Sequence, residues 1–294
     1  MTTAMTTAEP QSVDTIKPTS SRAQMLTEEF NYKGRCERLR GKFWMESYPP
    51  YEQLYSNILH HRNMRVCALA GEGERMLDIG CGLGDMLYLL RDRFDELHGA
   101  DPSRDMIESS RHNLVQRGLA GRFHLHWTPA EELDAPRSHF DTILMLDTYE
   151  HVHVDKRAKA LARVREALKP GGRFILVTPS WARIHAMAAI DNMLTLPRQI
   201  RAKHRIRLFS TTPKQYTEAF CSKRSLLRHL RNADLKAQRF ERVSFYPAPE
   251  RQGFLGPYMH KIYAKPRLQG ALECSFQTIQ RLHVFNQKML VVCE

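Results

Sequence analysis

A short stretch with two carboxylates and two imidazoles is the part of the sequence best equipped for chemistry. It reads Asp147-Thr-Tyr-Glu150-His151-Val-His153. Such groups can take a proton from a reacting atom, and they can also bind a divalent cation. Asp147, Glu150 and His151 could place mixed oxygen and nitrogen ligands for magnesium, manganese or zinc on one helical turn. Three interpretations stay open: proton removal by Glu150, His151 or His153, metal binding by the first three residues, or a structural role.

A glycine-rich loop is the second candidate site. Gly80-x-Gly82-x-Gly84 follows a short apolar run that contains Asp78. Glycine lets a backbone turn sharply and approach a ligand, and a following helix offers free N–H groups. The spacing is not the G-x-G-x-x-G of dinucleotide sites, and the Asp78 carboxylate would repel a pyrophosphate but suit a cationic ligand. Asp101, at the end of the next apolar run, could accept both hydroxyls of a ribose.

Alternating strands and helices must position these residues. The predicted strands are Met76–Ile79, Leu97–Asp101, Phe123–Trp127, Phe140–Leu146 and Arg173–Thr178. Helical patterns separate them, at Met86 to Phe94, at 104–117 and at 155–168, the last ending in a turn at Lys169–Gly172. This order implies right-handed βαβ crossovers and a mostly parallel sheet. A helix at 222–233 and a strand at Arg239–Tyr246 follow. For the last strand, Gln287–Cys293 is favoured over Met259–Ala264.

Four motifs in order resemble those of the class I S-adenosylmethionine-dependent methyltransferase superfamily. They are Leu77–Gly84, Asp101, Phe140–Ile143 and Leu168–Gly172. The resemblance covers about residues 72–180. It implies an α/β fold, a Rossmann-like three-layer sandwich whose seven-stranded, mostly parallel sheet has an antiparallel last strand. It also implies that the chain is an enzyme with S-adenosyl-L-methionine as its cofactor.

The same resemblance assigns cofactor-binding residues. The predicted set is Asp78, Gly80, Gly82, Asp101, Met106, Glu131 and Leu146. It implies that the loop lies near the methionine part, Asp101 near the ribose and Met106 near the adenine. Members often carry an Asp after the third strand that binds the adenine amine, but Pro129 stands there in this chain. Glu131, or backbone near it, is therefore expected to recognise the adenine.

The Asp147–His153 stretch is similar to the D/E-x-x-E-H element of quinone-biosynthesis O-methyltransferases, and a related element occurs in small-RNA 2′-O-methyltransferases. In both, the resemblance implies metal-assisted removal of a proton from an oxygen. A Glu–His pair is also widespread in metal-free relatives, where the Glu caps or orients the next helix. The resemblance therefore predicts in-line O-methylation of a small molecule, with Glu150 and His151 as base or as ligands of Mg²⁺ or a similar cation.

The charge of the chain leaves a second function open. The formal net charge is +12 over 294 residues, which favours anionic partners. Basic residues are concentrated in 198–231. Two functions therefore stay open: an enzyme for a small-molecule acceptor, for which the charge would suit an anion, and an RNA or protein methyltransferase that uses this surface. The sequence contains no run of eighteen apolar residues, so it predicts no membrane span. Six cysteines without a C-x-x-C pair predict reduced thiols in a cytoplasmic protein.

The sequence also predicts how the chain is divided. Residues 1–22 have the composition of a disordered leader, and 23–70 read as an N-terminal helical extension. The methyltransferase domain is expected over 71–294. Two insertions are expected within it: a basic, cap-like one at 181–215 that could cover the active site, and a variable one at 247–286. The oligomeric state is not predicted.

Overall fold

A seven-stranded sheet lies at the centre of the computed structural model, which describes residues 53–180, 221–243 and 288–294. The strands are β1 (Gly73–Ile79), β2 (Phe94–Asp101), β3 (Phe123–Trp127), β4 (Phe140–Leu146), β5 (Leu168–Pro179), β6 (Ala237–Val243) and β7 (Lys288–Cys293). Their order across the sheet is β3-β2-β1-β4-β5-β7-β6. Strand β7 runs antiparallel to both of its neighbours, and the other pairs are parallel. The predicted fold, including its antiparallel last strand, is confirmed.

Helices cover both faces of the sheet. They are α1 (Gln53–Ala70), α2 (Asp85–Leu89), α3 (Arg104–Gln116), α4 (Arg157–Ala167) and α5 (Lys223–Asn232). One hydrophobic cluster joins the sheet to α1, α2 and α3, and the other joins it to α4 and α5. Leu226 and Leu230, one turn apart on α5, are fully buried in the second cluster. Each such leucine stabilises the fold by about 2 kcal/mol relative to an exposed one.

Two predicted boundaries were wrong. Phe94 was placed in a helix, but α2 ends at Leu89 and β2 begins at Phe94. Phe94 is buried at the start of β2, and its helical spacing from Met86 misled the prediction. The predicted turn at Lys169–Gly172 lies inside β5 as a bulge, because Phe140 pairs with Leu168 whereas Thr142 pairs with Arg173.

The preferred last strand is confirmed, since β7 occupies Lys288–Cys293. The other candidate, Met259–Ala264, lies outside the described residues, as do the leader 1–22 and the insertions 181–215 and 247–286. Of the helical extension 23–70, only 53–70 is described, and it is helix α1. None of the helices described here combines the length and the apolar character needed to span a bilayer.

Candidate active site

The loop after β1 is fixed on one side and open on the other. Gly80, Gly82 and Gly84 all have positive φ, at 79°, 53° and 85°, a conformation that favours glycine. A Cβ on Gly80 would lie 2.0 Å from Thr148 Oγ1, whereas a Cβ on Gly82 would meet no heavy atom within 4 Å. The N–H groups of Gly80 and Cys81 donate to the Ala100 carbonyl over 2.7 and 3.1 Å. The loop is thus anchored to β2 and β4 while its Gly82 side can receive a ligand.

Asp101, at the end of β2, faces this loop. Its Oδ2 accepts from the Gly82 N–H over 3.1 Å, and its Oδ1 accepts from the Ser103 N–H over 2.8 Å. Burial raises the pKa of Asp101 to about 6 although these two hydrogen bonds oppose the rise. A carboxylate oxygen has two lone pairs, so each can accept one more hydrogen. The side chain is therefore held in place with capacity left for a pair of hydroxyls.

Asp78, inside β1, is a buried carboxylate with unused capacity. Its residue is 3% exposed, and its buried Oδ1 has no hydrogen-bond partner within the described part of the chain. Burial raises its pKa to about 7, Arg62 opposes this, and Asp101 adds to it. A buried polar atom without a partner is costly. The residues around the loop thus fit a ligand that brings a cationic donor to Asp78 and hydroxyls to Asp101.

Asp147 directly follows β4, at the same carboxyl edge of the sheet. It is one of three described non-glycine residues with a positive φ, at 54°. Its Oδ2 forms ion pairs with Arg62 of α1 and with Lys288 at the start of β7. Burial would raise the pKa of Asp147, but the charges of Lys288 and Arg62 outweigh it and lower the pKa. Asp147 therefore stays ionised and joins three distant segments of the chain.

Glu150 lies in a 3-10 turn, Tyr149–His151, directly after β4. It is buried, and its Oε2 accepts from the Thr178 hydroxyl of β5 over 2.9 Å. Burial, together with the nearby charge of Asp147, raises the pKa of Glu150 to about 8. The side chain thus holds the turn against β5 and carries a proton at neutral pH.

The two histidines of this stretch lie at the surface. His151 ends the 3-10 turn and is exposed, and His153 is exposed with Nδ1 3.3 Å from Asp155 Oδ2. Within the described ranges, the ligand atoms of Asp147, Glu150 and His151 do not gather within 4.8 Å of one another. Because Asp147 is also held by two cations, this arrangement does not fit the predicted divalent cation.

The other three residues predicted to bind the cofactor, of which Met106 and Glu131 were assigned to the adenine, lie in three places. Met106 is buried in the first turn of α3, where its N–H donates to the capping Ser103 hydroxyl over 3.4 Å. Glu131 is buried, and its Oε1 accepts from Lys156 Nζ over 2.8 Å. Leu146 is buried at the end of β4. These contacts show what each side chain does in the protein, and the adenine assignments stay predictions.

Sequence reasoning missed the partners that build this site. Arg62 and Lys288 lie 85 and 141 residues from Asp147, so no local pattern connects them. Lys288 gave one weak signal, as a charged residue at the head of an otherwise apolar strand. Thr148 and Thr178 gave none, because a threonine is common both in a strand and after it.

Comparison with known proteins agrees with this geometry. Residues 76–172 match the family model described as a methyltransferase domain. The chain is 34% identical over 113 residues to the ubiquinone/menaquinone biosynthesis C-methyltransferase UbiE of Pseudomonas entomophila (strain L48), covering 36% of this chain and 41% of that protein. It is 34% identical over 110 residues to the aklanonic acid methyltransferase DauC of Streptomyces sp. (strain C5), covering 36% and 49%. The chain thus spans less than half the length of these relatives.

A solved structure extends the likeness of the fold over nearly the whole chain. The geranyl diphosphate C-methyltransferase from Streptomyces coelicolor A3(2), in complex with Mg²⁺, geranyl diphosphate and S-adenosyl-L-homocysteine, aligns with a TM-score of 0.54. The alignment covers 95% of this chain and 99% of that one at 12% identity. At that identity the likeness concerns the fold alone. Residues 76–172 of this chain thus match a methyltransferase domain in sequence, and the chain shares the fold of this solved methyltransferase.

Proposed function

We propose that this chain is an S-adenosylmethionine-dependent methyltransferase for a small-molecule acceptor. The carrying observation is the pair of buried carboxylates, Asp78 and Asp101, on either side of a loop that is open at Gly82. The cofactor supplies an electrophilic methyl group on a sulfonium. The protein must hold the acceptor in line and exclude water from it. Asp101 would hold the ribose hydroxyls, and Asp78 would accept from the ammonium of the methionine part.

Calorimetric titration with S-adenosylmethionine tests the cofactor assignment. Asp101→Asn removes a charged acceptor, and loss of hydrogen bonds to a charged group weakens binding by about 10- to 100-fold. Asp95→Asn is the matched control, because Asp95 lies on the same strand but is exposed near its other end. Equal affinity of the wild type and Asp101→Asn would overturn the assignment.

For the acceptor atom we propose oxygen, with His151 as the base that removes its proton. His151 is exposed at the carboxyl edge of the sheet, where ligands bind in open α/β sheets. Glu150 is buried against Thr178 and is better suited to positioning the turn than to accepting a proton. His153 lies two residues beyond His151 and so farther from the end of β4, which makes it the second choice.

The position of the new methyl group and the rate of its transfer test this proposal. With an accepted substrate in hand, the product's ¹³C-methyl shift should report an oxygen-bound methyl group. His151→Ala should lower kcat by about 100-fold or more, as expected for the loss of a general base, and His153→Ala should lower it far less. A carbon-bound methyl group would refute the oxygen assignment, and an unchanged kcat in His151→Ala would refute the base.

The proposed reaction does not use a divalent cation. The cations Arg62 and Lys288 already neutralise Asp147, which would have to be a ligand. We therefore expect that adding Mg²⁺ to chelator-treated enzyme leaves kcat unchanged at 25 °C. Restoration of a lost activity by Mg²⁺ would revive the metal hypothesis. The four described cysteines, Cys67, Cys81, Cys221 and Cys293, are free thiols, which supports our proposal of a cytoplasmic location.

A further inference from the structure

A cluster of imidazoles lies on the β2–β3 part of the sheet, away from the cofactor loop. In the parallel register of these strands His98 pairs with His124, and Ala100 pairs with His126. Side chains alternate along a strand, so Glu96 and His98 share one face with His124 and His126. The His98 ring stacks on those of His124 and His126, with centroids 4.7 and 5.5 Å apart. Neither the methyltransferase motifs nor the proposed reaction uses these residues.

Three of these side chains bring metal-ligand atoms together. One oxygen of Glu96 and one nitrogen each of His98 and His124 lie within 4.8 Å of one another, the one such set in the ranges that the structure describes. Glu96 Oε2 is 3.5 Å from His98 Nε2. In a tetrahedral zinc site with bonds of about 2.0–2.1 Å, neighbouring ligand atoms are about 3.3 Å apart. The Glu96–His98 distance is close to this value, and the exposed His124 ring would turn to complete the geometry.

His98 is the residue that points to a ligand. It is 9% exposed, and its buried Nε2 makes no hydrogen bond of normal geometry among the described residues, although Glu96 Oε2 lies 3.5 Å away. Its other nitrogen, Nδ1, lies 3.2 Å from His126 Nε2. If Nδ1–H donates to His126, the lone pair of Nε2 faces the carboxylate of Glu96. Metal-binding histidines are held in this way, with the second ring nitrogen donating to a neighbouring acceptor.

The negative charge of Glu96 favours a metal ion at this cluster. Arg75 is the opposing charge, since its Nε donates to Glu96 Oε2 over 3.0 Å. The same oxygen lies 3.5 Å from His98 Nε2, and its two lone pairs allow it to hold the arginine and a metal together.

We propose that Glu96, His98 and His124 form a zinc site that fastens the edge strand β3 to β2. Two imidazoles and one carboxylate are a ligand set typical of Zn²⁺, whereas Mg²⁺ prefers oxygen ligands. Water would complete the tetrahedron. The site would lie three residues before Asp101, so zinc would also fix the end of β2 that carries this carboxylate. The proposal does not depend on the proposed reaction.

Zinc titration of the chelator-treated, full-length protein tests this proposal, with bound metal and melting temperature as readouts. We expect one equivalent of Zn²⁺ to raise Tm, while Mg²⁺ does not. His124→Ala and Glu96→Gln should weaken this binding at least tenfold. His112→Ala is the matched control, because His112 is an exposed histidine on α3. Equal zinc affinity in His124→Ala and His112→Ala would overturn the proposal.

A second measurement needs no substitution. Imidazole nitrogen signals of the wild-type protein should shift for His98 and His124 on addition of one equivalent of Zn²⁺, and the His112 signals should stay in place. Shifts confined to other histidines, with those of His98 and His124 unchanged, would show that zinc binds elsewhere and would overturn the assignment. Both measurements report on the metal alone, so they remain informative whatever the acceptor proves to be.

Discussion

Asp78 is a residue whose buried carboxylate favours ligand binding but destabilises the ligand-free protein. It is buried beside Asp101, and its Oδ1 is unpaired within the described residues. In the ligand-free protein burial raises its pKa from 3.8 to about 7, so its neutral form dominates below that pH. A cationic group near the carboxylate would reverse this preference. The residue thus favours a bound cation and weakens the empty fold at alkaline pH.

The pH dependence of stability follows from this shift. Below about pH 4, Asp78 is protonated in both the folded and the unfolded chain. Between pH 4 and 7 only the unfolded chain loses the proton, so its contribution to the free energy of unfolding falls as pH rises through the folded pKa of about 7. The loss is at most about 4 kcal/mol, at 1.4 kcal/mol for each pKa unit.

Replacement of this carboxyl group should therefore stabilise the empty protein. At pH 8, Asp78→Asn should raise the free energy of unfolding by about 1–3 kcal/mol relative to the wild type, and at pH 4 the difference should largely vanish. The same variant should lose S-adenosylmethionine binding. Urea denaturation at both pH values measures the first effect, with Asp95→Asn as an exposed control. A stability difference independent of pH would contradict the assigned titration.

At the scale of elements, the loop after β1 and the turn after β4 form one unit through Gly80. The position of a Cβ at Gly80 is 2.0 Å from Thr148 Oγ1 and 2.7 Å from its Cγ2. The loop after β1 and the turn after β4 are therefore packed directly against each other. A change at Gly80 should disturb both.

Gly80→Ala measures this coupling, and Gly118→Ala is its matched control. Both positions have a positive φ, at 79° and 80°, but a Cβ on Gly118 meets no heavy atom within 4 Å. The control should lose about 1 kcal/mol of stability from backbone strain, and Gly80→Ala about 2–4 kcal/mol because overpacking adds to it. Chemical denaturation gives both values. Equal losses of stability in the two variants would show that Thr148 moves aside without destabilising the protein.

The elements were predictable from sequence to the extent that local spacing defines them. Apolar runs located the strands, and the run Lys288–Cys293 was correctly preferred as the last one. The number of strands and the antiparallel direction of the last one followed from the family resemblance. The sequence misassigned Phe94, whose position fits both a helix and a strand. It also missed contacts between segments that are distant along the chain. The ion pairs of Asp147 with Arg62 and Lys288 depend on strand order and side-chain reach, which no window of neighbouring residues contains.

At the scale of the whole molecule, the direction of α5 bears on the choice between small-molecule and nucleic-acid acceptors. The backbone of Cys221 forms an isolated parallel β-bridge with that of Ser180, just past the end of β5. Helix α5 therefore begins near the carboxyl edge of the sheet. Strand β6 follows it and runs parallel to β5, because both are antiparallel to β7. The helix therefore runs back toward the opposite edge. Arg228 and Arg231, in its second half, are exposed on the way there.

Neutralisation of this helix surface separates the two acceptor classes. Arg228 and Arg231 are exposed, and the helix is held by the buried Leu226 and Leu230, so a double variant with Arg228→Gln and Arg231→Gln should fold normally. With a small-molecule acceptor we expect kcat/KM to stay within about twofold of the wild type, because the last turns of α5 lie away from the cofactor loop. An RNA acceptor bound on 198–231 would lose affinity, and the slope of log K against log salt would fall by about 0.7–0.9 for each phosphate contact removed. A large, salt-dependent loss of methyl transfer in this variant would therefore favour the nucleic-acid function over the one proposed here.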